Sequence, residues 1–351
     1  MKPVAQADPV VAAGIRSRCP RSLSGFQRQP PAEVLAELQE EAARGGAGDR
    51  YGTGGVVTEV EEQVRDVLGA EAAVLFPTGT MAQQVALQLH CASRGVRRVA
   101  LHRTSHLLLW EEDALQELSG IEAVAPVEDL SGLAAVVVEL PQRETGGQLM
   151  AFDELVALSF RCADAGVALH LDGARLWECG PAYAPRSLGE VAALADMTYV
   201  SLYKGLGALG GAVLCCPYDL AEQVRTWRHR YGGTLPALWP LALGARRGLR
   251  ERLPRMPVYV EAAQALAREV EVVSPPVTPL LHVVLEGEPA PLVDALLAVA
   301  EQSGVWIAGA VGAGPRPGTG AVEISYDEDG LAVPPAEVAG LLRRVCELAT
   351  R

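Results

Sequence analysis

Lysine is nearly missing from this chain. Lysine and arginine together number 30 in 351 residues, yet only Lys2 and Lys204 are lysines. Cationic surface is therefore supplied almost wholly by arginine, which leaves Lys204 conspicuous as a residue type that can lose its proton and act as a nucleophile. Basic runs are missing as well. The net charge of −13 sets up a field that repels phosphate backbones and anionic lipid, which excludes nucleic acid and membrane surfaces as partners. The seven cysteines, at 19, 91, 162, 179, 215, 216 and 346, show neither CxxC nor Cys/His ligand spacing. They read as reduced thiols of a cytosolic protein, and no metal site is expected. No stretch approaches the roughly 18 uncharged apolar residues of a membrane span. The N-terminal apolar stretch is broken by Pro9 and Gly14, weaker than a secretory core, so a cytoplasmic location is expected. Internal repeats and low-complexity tracts are absent too.

What is present is an ordinary globular balance, with 49% hydrophobic and 21% charged residues. The length favours two domains or one large domain with an appendage. From Tyr51 to about Pro240, short β-rich apolar runs alternate with longer helical stretches, the pattern of an α/β sheet. Strands are expected at Ala134–Leu140, Val167–Asp172, Met197–Tyr203 and Gly211–Cys216, and their continuous hydrophobicity implies burial on both faces. Helices are expected at Thr58–Leu68 behind a Thr cap, at Gly79–Leu89 and at Phe152–Ala165. Beyond Pro240 a long helix, a Pro-rich turn and the strands LLHVVLE and AVEISYD suggest a smaller α+β domain. The expected division is a segment 1–50 packed on the small domain, a large domain 51–240 and a small domain 241–351.

Four motifs bear on chemistry, and each admits two readings. Thr78, Gly79 and Thr80 follow the apolar run AAVLF and open a helix. They are either a plain helix cap or a phosphate cradle of backbone N–H groups and hydroxyls. Asp172 ends an apolar strand, where α/β proteins bind ligands. It caps or pairs with Arg175, or it meets a cationic ring nitrogen. Lys204 ends another strand and enters KGLGALGG, as a surface lysine or as an imine-forming amine beside glycines that admit a bulky cofactor. That turn is not a dinucleotide fingerprint, because it runs on into a strand and lacks the acidic residue at the expected spacing. His106, in SHLLLWEE, is structural, or stacks on a ring and acts as a base.

Taken in order, these motifs resemble the fold type I pyridoxal phosphate (PLP) enzymes of the aspartate aminotransferase superfamily, and within it the threonine aldolase and β-eliminating lyase family. The resemblance rests on YGTGGVVTEVEEQV, FPTGTMAQQVAL, SHLLLWEE, HLDGARLWE, SLYKGLGALGGAVL and RTWRHRYGG, spanning about residues 50–235. It implies an α/β fold with a mostly parallel seven-stranded sheet between helices, and PLP as the cofactor. It implies Lys204 as the Schiff-base lysine, Asp172 on the pyridine nitrogen, His106 on the ring and Thr78–Gly79–Thr80 at the phosphate. It further implies Arg175 on the substrate carboxylate and the cofactor's phenolic side, Arg228 near the phosphate, and Tyr51 and Ser17 near the substrate. The family's substrate-side His is replaced near Gln142 and Arg143, and its C-terminal Arg has no counterpart at VEISY, where a Val or Glu stands instead. Arg16, Arg143 and Arg316 then become candidates for a second carboxylate contact. The implied activity is aldol cleavage of L-threonine- or L-allo-threonine-like β-hydroxy-α-amino acids to glycine and an aldehyde. The same frame also serves other PLP lyases, transaminases and racemases, and a non-catalytic PLP-binding protein would share the cofactor residues. A homodimer or homotetramer with shared active sites is the family expectation.

Overall fold

The computed structural model describes residues 3–24 and 30–350, so Lys2 lies outside the described residues. The chain divides into two compact units. One comprises residues 1–28, 142–148 and 255–351, and the other residues 29–141 and 149–254.

The larger unit is built on a seven-stranded sheet. Its order is Ala72–Phe76, Ala212–Cys216, Met197–Ser201, Ala168–Gly173, Ala135–Glu139, Arg98–Leu101 and Glu122–Val124. Every neighbouring pair is parallel except the two made by Ala212–Cys216, which runs against both its neighbours. The mostly parallel α/β sheet implied by the resemblance is therefore present. Its apolar strands are sandwiched because a parallel sheet needs helices on both faces. Helix Gly79–Arg94 turns Ala82, Val85, Ala86 and Leu89 onto Phe76, Met197, Tyr199 and Leu214, and its Leu87 and Cys91 meet Val99, Leu101 and Val137.

Among the element boundaries that differ from the sequence reading, two have a clear local reason. The helix expected from Thr58 begins three residues earlier, at Gly55. Its cap is Gly54 at φ 83°, while the Thr58 hydroxyl accepts from the Gly54 N–H at 3.2 Å from inside the first turn. The strand expected to reach Tyr203 stops at Ser201, and the chain turns there so that Lys204 leaves the sheet edge. The segment 29–50 groups with the larger unit. Its helix Pro31–Ala43 packs on helix Trp239–Glu251, where the buried Glu41 carboxylate receives Arg246 and Arg250 at 2.7 Å each.

The smaller unit holds a four-stranded antiparallel sheet ordered Pro3–Gln6, Ala310–Ala313, Thr319–Ser325 and Leu280–Glu286. Helices Met256–Ala267, Pro289–Ser303 and Pro335–Ala349 belong to the same unit. Among the described residues no helix is long and apolar enough to cross a membrane, and no group of three His, Cys, Asp or Glu is placed to hold a metal.

Candidate active site

The larger unit gathers its polar chemistry at the carboxyl ends of its parallel strands, the edge at which such sheets bind ligands. Asp172 sits next to the end of strand Ala168–Gly173, and Lys204 lies three residues past strand Met197–Ser201. Pro77 and Thr78 follow strand Ala72–Phe76, and His106 follows the turn after Arg98–Leu101. Thr78, Gly79, Thr80, His106, Asp172 and Lys204 line one cavity of about 290 Å³. The four sequence motifs are thus brought to a single place.

Each wall has a physical cause. Thr78 caps helix Gly79–Arg94, its hydroxyl accepting from the Met81 N–H at 3.3 Å, and Thr78, Gly79 and Thr80 at this helix start, where N–H groups lack partners within the helix, line the cavity. A Cβ on Gly79 would stand 2.2 Å from the Tyr199 phenol oxygen, so no other residue type fits there without displacing the tyrosine. Asp172 is 2% exposed, and its Oδ1 accepts the Ala174 N–H at 3.2 Å. Burial pushes its carboxyl pKa up, and the charges of Lys204 and His106 pull it back in part. Lys204 is buried, and its amine lies 5.4 Å from the centre of the Tyr203 ring. Among the described residues no carboxylate comes within ion-pair range of that amine. The cavity therefore offers an anion cradle at one side, a desolvated carboxylate suited to a cationic N–H, and a buried amine.

Other residues singled out from the sequence stand elsewhere. Arg175 is buried, with its Nη1 3.3 Å from Glu178 Oε1, and it is not among the cavity-lining residues. Arg228 is buried too. Its Nη1 donates to the Leu75 carbonyl at 2.7 Å, its Nε has no partner among the described residues, and burial lowers its pKa. Gly52, at φ 74°, leaves room for that guanidinium, since a Cβ there would be 2.7 Å from Nη2. Tyr51 is half exposed at φ 54°. Ser17, Arg143 and Arg316 belong to the smaller unit. There Ser17 donates to the Gly14 carbonyl at 2.9 Å, and Arg143 is held by Glu323 at 2.7 Å and Glu144 at 3.0 Å. Arg316 is engaged by Glu271 and, at 2.8 Å, by Glu286.

Sequence reasoning did not single out Gln83, Glu111, Tyr199 and Tyr203, all of which line the cavity. The signals were there. Gln83 is one helical turn beyond Gly79, and Tyr199 and Tyr203 lie in the segment that ends at Lys204. Glu111 lies in the same motif as His106, five residues on.

A family model described as beta-eliminating lyase matches residues 29–132 and 130–281. The chain belongs to the beta-eliminating lyase family. Low-specificity L-threonine aldolase 1 of Arabidopsis thaliana is 27% identical over 230 residues, which are 59% of this chain and 64% of that protein. The match thus spans less than two thirds of that relative's length. Among solved structures, a Listeria monocytogenes protein assigned as an L-allo-threonine aldolase is 34% identical, with a TM-score of 0.87, covering 96% of this chain and 99% of its own. An Exiguobacterium protein assigned as an aromatic amino acid beta-eliminating lyase/threonine aldolase is 33% identical, with a TM-score of 0.85 and the same coverages. The fold is that of the fold type I enzymes, and the cofactor of this beta-eliminating lyase family member is PLP. The cavity passes the chemical test for that group. A phosphate suits the helix start at Thr78–Thr80, a protonated pyridine nitrogen suits the buried Asp172, and an aldehyde carbon suits the buried Lys204 amine.

Proposed function

We propose that this beta-eliminating lyase family member is a PLP-dependent aldolase, cleaving L-threonine- or L-allo-threonine-like β-hydroxy-α-amino acids to glycine and an aldehyde. The observation that carries the reading is the single cavity lined by Lys204, Asp172, His106 and the helix start at Thr78–Thr80. The aldolase assignments of the Arabidopsis and Listeria relatives support it.

In this reading Thr78, Gly79 and Thr80 bind the phosphate through N–H groups and hydroxyls, and Arg228 adds charge near it. The Lys204 amine would hold the cofactor through its aldehyde carbon. When bound, the cofactor supplies an electron sink for the pair released at the substrate Cα. Asp172 holds the proton on the pyridine nitrogen, and its own burial makes that cationic partner favourable. His106 covers the ring and accepts the β-hydroxyl proton as the Cα–Cβ bond breaks. Arg175 anchors the substrate carboxylate, with Tyr51 as a further contact in the same unit.

A second reading has its own support. The family's substrate-side histidine is replaced near Gln142 and Arg143, and Arg143 is held by two carboxylates. A different PLP reaction, such as β-elimination, racemisation or transamination, would need only such substrate-side changes. Incubating the holoenzyme with a panel of β-hydroxy amino acids and assaying glycine and aldehyde tests the first reading. Keto acid or inverted amino acid without glycine would favour the second. The same reading extends to a cytoplasmic location and a homo-oligomer, and the exposed Tyr51, Leu209 and Trp239, which a partner subunit would cover, support the oligomer.

A further inference from the structure

Resting on the aldolase reading, we infer that Glu111 is the positioning residue for His106, holding the proton on Nδ1 so that Nε2 is left free to accept the substrate hydroxyl proton. Glu111 lines the same cavity as His106, Asp172 and Lys204. Its side chain is 3% exposed, and its Oε1 lies 3.7 Å from His106 Nδ1. Its Oε2 is buried and accepts no hydrogen bond among the described residues.

A buried carboxylate with an unused oxygen is costly unless a cationic or N–H partner compensates it. The Glu111 charge makes buried Asp172 and Tyr199 harder to ionise, and neither donates to Glu111 Oε2 among the described residues. The imidazole N–H is the donor at hand. At 3.7 Å the contact is longer than a hydrogen bond, as orienting contacts in ligand-free sites often are before they tighten around substrate.

The backbone adds an independent observation. Glu112 and Asp113, directly after Glu111, both take positive φ, 47° and 56°. Residues with a Cβ rarely adopt that conformation, and its occurrence in two consecutive positions turns the chain sharply just after Glu111 is buried. The start of the segment is fixed as well, because the His106 N–H donates to Glu139 Oε2 at 3.2 Å. Both ends of the loop are therefore held, with the carboxylate and the ring between them.

The charges facing His106 are Glu111 at Nδ1, Asp172 and Lys204 across the cavity, and Glu139 at its backbone. In the cleavage step the proton passes from the β-hydroxyl oxygen to Nε2, and the O–H pair becomes the second bond of the aldehyde carbonyl. The imidazolium so formed is balanced by the Glu111 carboxylate.

The test uses the full-length holoenzyme with ¹⁵N-labelled histidine. The chain has six histidines, and His106 is identified by the signal lost in His106→Asn. Wild type should carry the neutral-ring proton on Nδ1. In Glu111→Gln that proton should redistribute toward Nε2. The same variant should lose roughly 10- to 100-fold in kcat, the scale of a lost orienting partner, with KM within about threefold. Glu111→Asp should restore part of both effects, and it serves as the test variant if Glu111→Gln does not fold. A wild-type ring protonated on Nε2 overturns the inference. So does a Glu111 variant in which either the tautomer or kcat is unchanged. If wild type cleaves no β-hydroxy amino acid, the aldolase reading fails, and the tautomer measurement still decides the role of Glu111 in orienting the ring.

Discussion

A buried amine and a buried carboxylate line one cavity without forming an ion pair, and this separation gives Lys204 its use. Were Asp172 to pair with it, the amine would be held in its charged, unreactive form. Covalent capture is directly measurable because the chain has only one other lysine, Lys2. Borohydride reduction of the holoenzyme followed by peptide mapping should place the pyridoxyl group on Lys204, and Lys204→Ala should lose the yellow colour. A label on Lys2 or the terminal amine alone would overturn the site. Arg175 poses a sharper question, since Glu178 already neutralises part of its charge at 3.3 Å. Arg175→Lys keeps a cation for the buried Glu178, avoiding the large cost of stranding that carboxylate, and removes only the planar fork. If Arg175 anchors the substrate carboxylate, the change removes about 1.5–3 kcal/mol of charge-assisted hydrogen bonding. KM should then rise roughly tenfold or more, with the cofactor spectrum unchanged. A normal KM in Arg175→Lys beside a crippled Arg316→Ala would move the anchor to the smaller unit.

At the scale of elements, the start of helix Gly79–Arg94 joins cofactor binding to core packing. The same helix that buries Val85 and Ala86 against the sheet presents its first turn to the cavity, and Tyr199 of the neighbouring sheet reaches to within 2.2 Å of where a Gly79 Cβ would lie. Gly79→Ala should lower the unfolding midpoint, through about 1–3 kcal/mol of overpacking against Tyr199, and weaken PLP binding by roughly tenfold, because the helix start must shift away from the phosphate. Tyr199→Phe in the same chain removes the oxygen but leaves ring carbon Cζ at 2.8 Å, so only part of the affinity should return. Equal PLP affinity in wild type and Gly79→Ala, measured by equilibrium titration, would sink the cradle assignment. This helix was also the most legible element, since an apolar strand, a Thr cap and a glycine announce it in sequence. The central strands were legible for the same reason, being continuous apolar runs. The strands Arg98–Leu101 and Glu122–Val124, at one end of the sheet, were not, because they are short and flanked by charge. Glu111 was quoted within a motif and still passed over. Only the fold reveals that the Glu112 and Asp113 backbone turns it inward, for residues with a Cβ give no local signal of positive φ.

For the molecule as a whole, the buried histidines behind the cavity make stability depend on pH in a calculable direction. His170 lies two residues before Asp172 on the same strand, its Nε2 2.6 Å from Gln83 Oε1, and His90 packs edge-on against it at 5.7 Å between ring centres. Burial drives the pKa of His170 well below the ordinary value and that of His90 down to about 4, so both rings are neutral in the fold. The unfolded chain, with ordinary histidines near pH 6.5, binds protons that the folded chain refuses. Stability therefore rises with pH wherever the unfolded state holds more protons. The His90 contribution is fully present above about pH 6.5 and is lost as pH falls from there toward 4. With the His90 pKa at about 4 it amounts to roughly 2 kcal/mol between pH 7 and pH 5, with His170 adding in the same direction. Urea unfolding at the two pH values should show this loss. The His90→Gln variant, which cannot titrate there, should be less stable than wild type at pH 7 and should flatten the dependence. An identical pH dependence in His90→Gln would mean that His90 already reaches water or a hydrogen-bond acceptor that stabilises its charged form in the folded state.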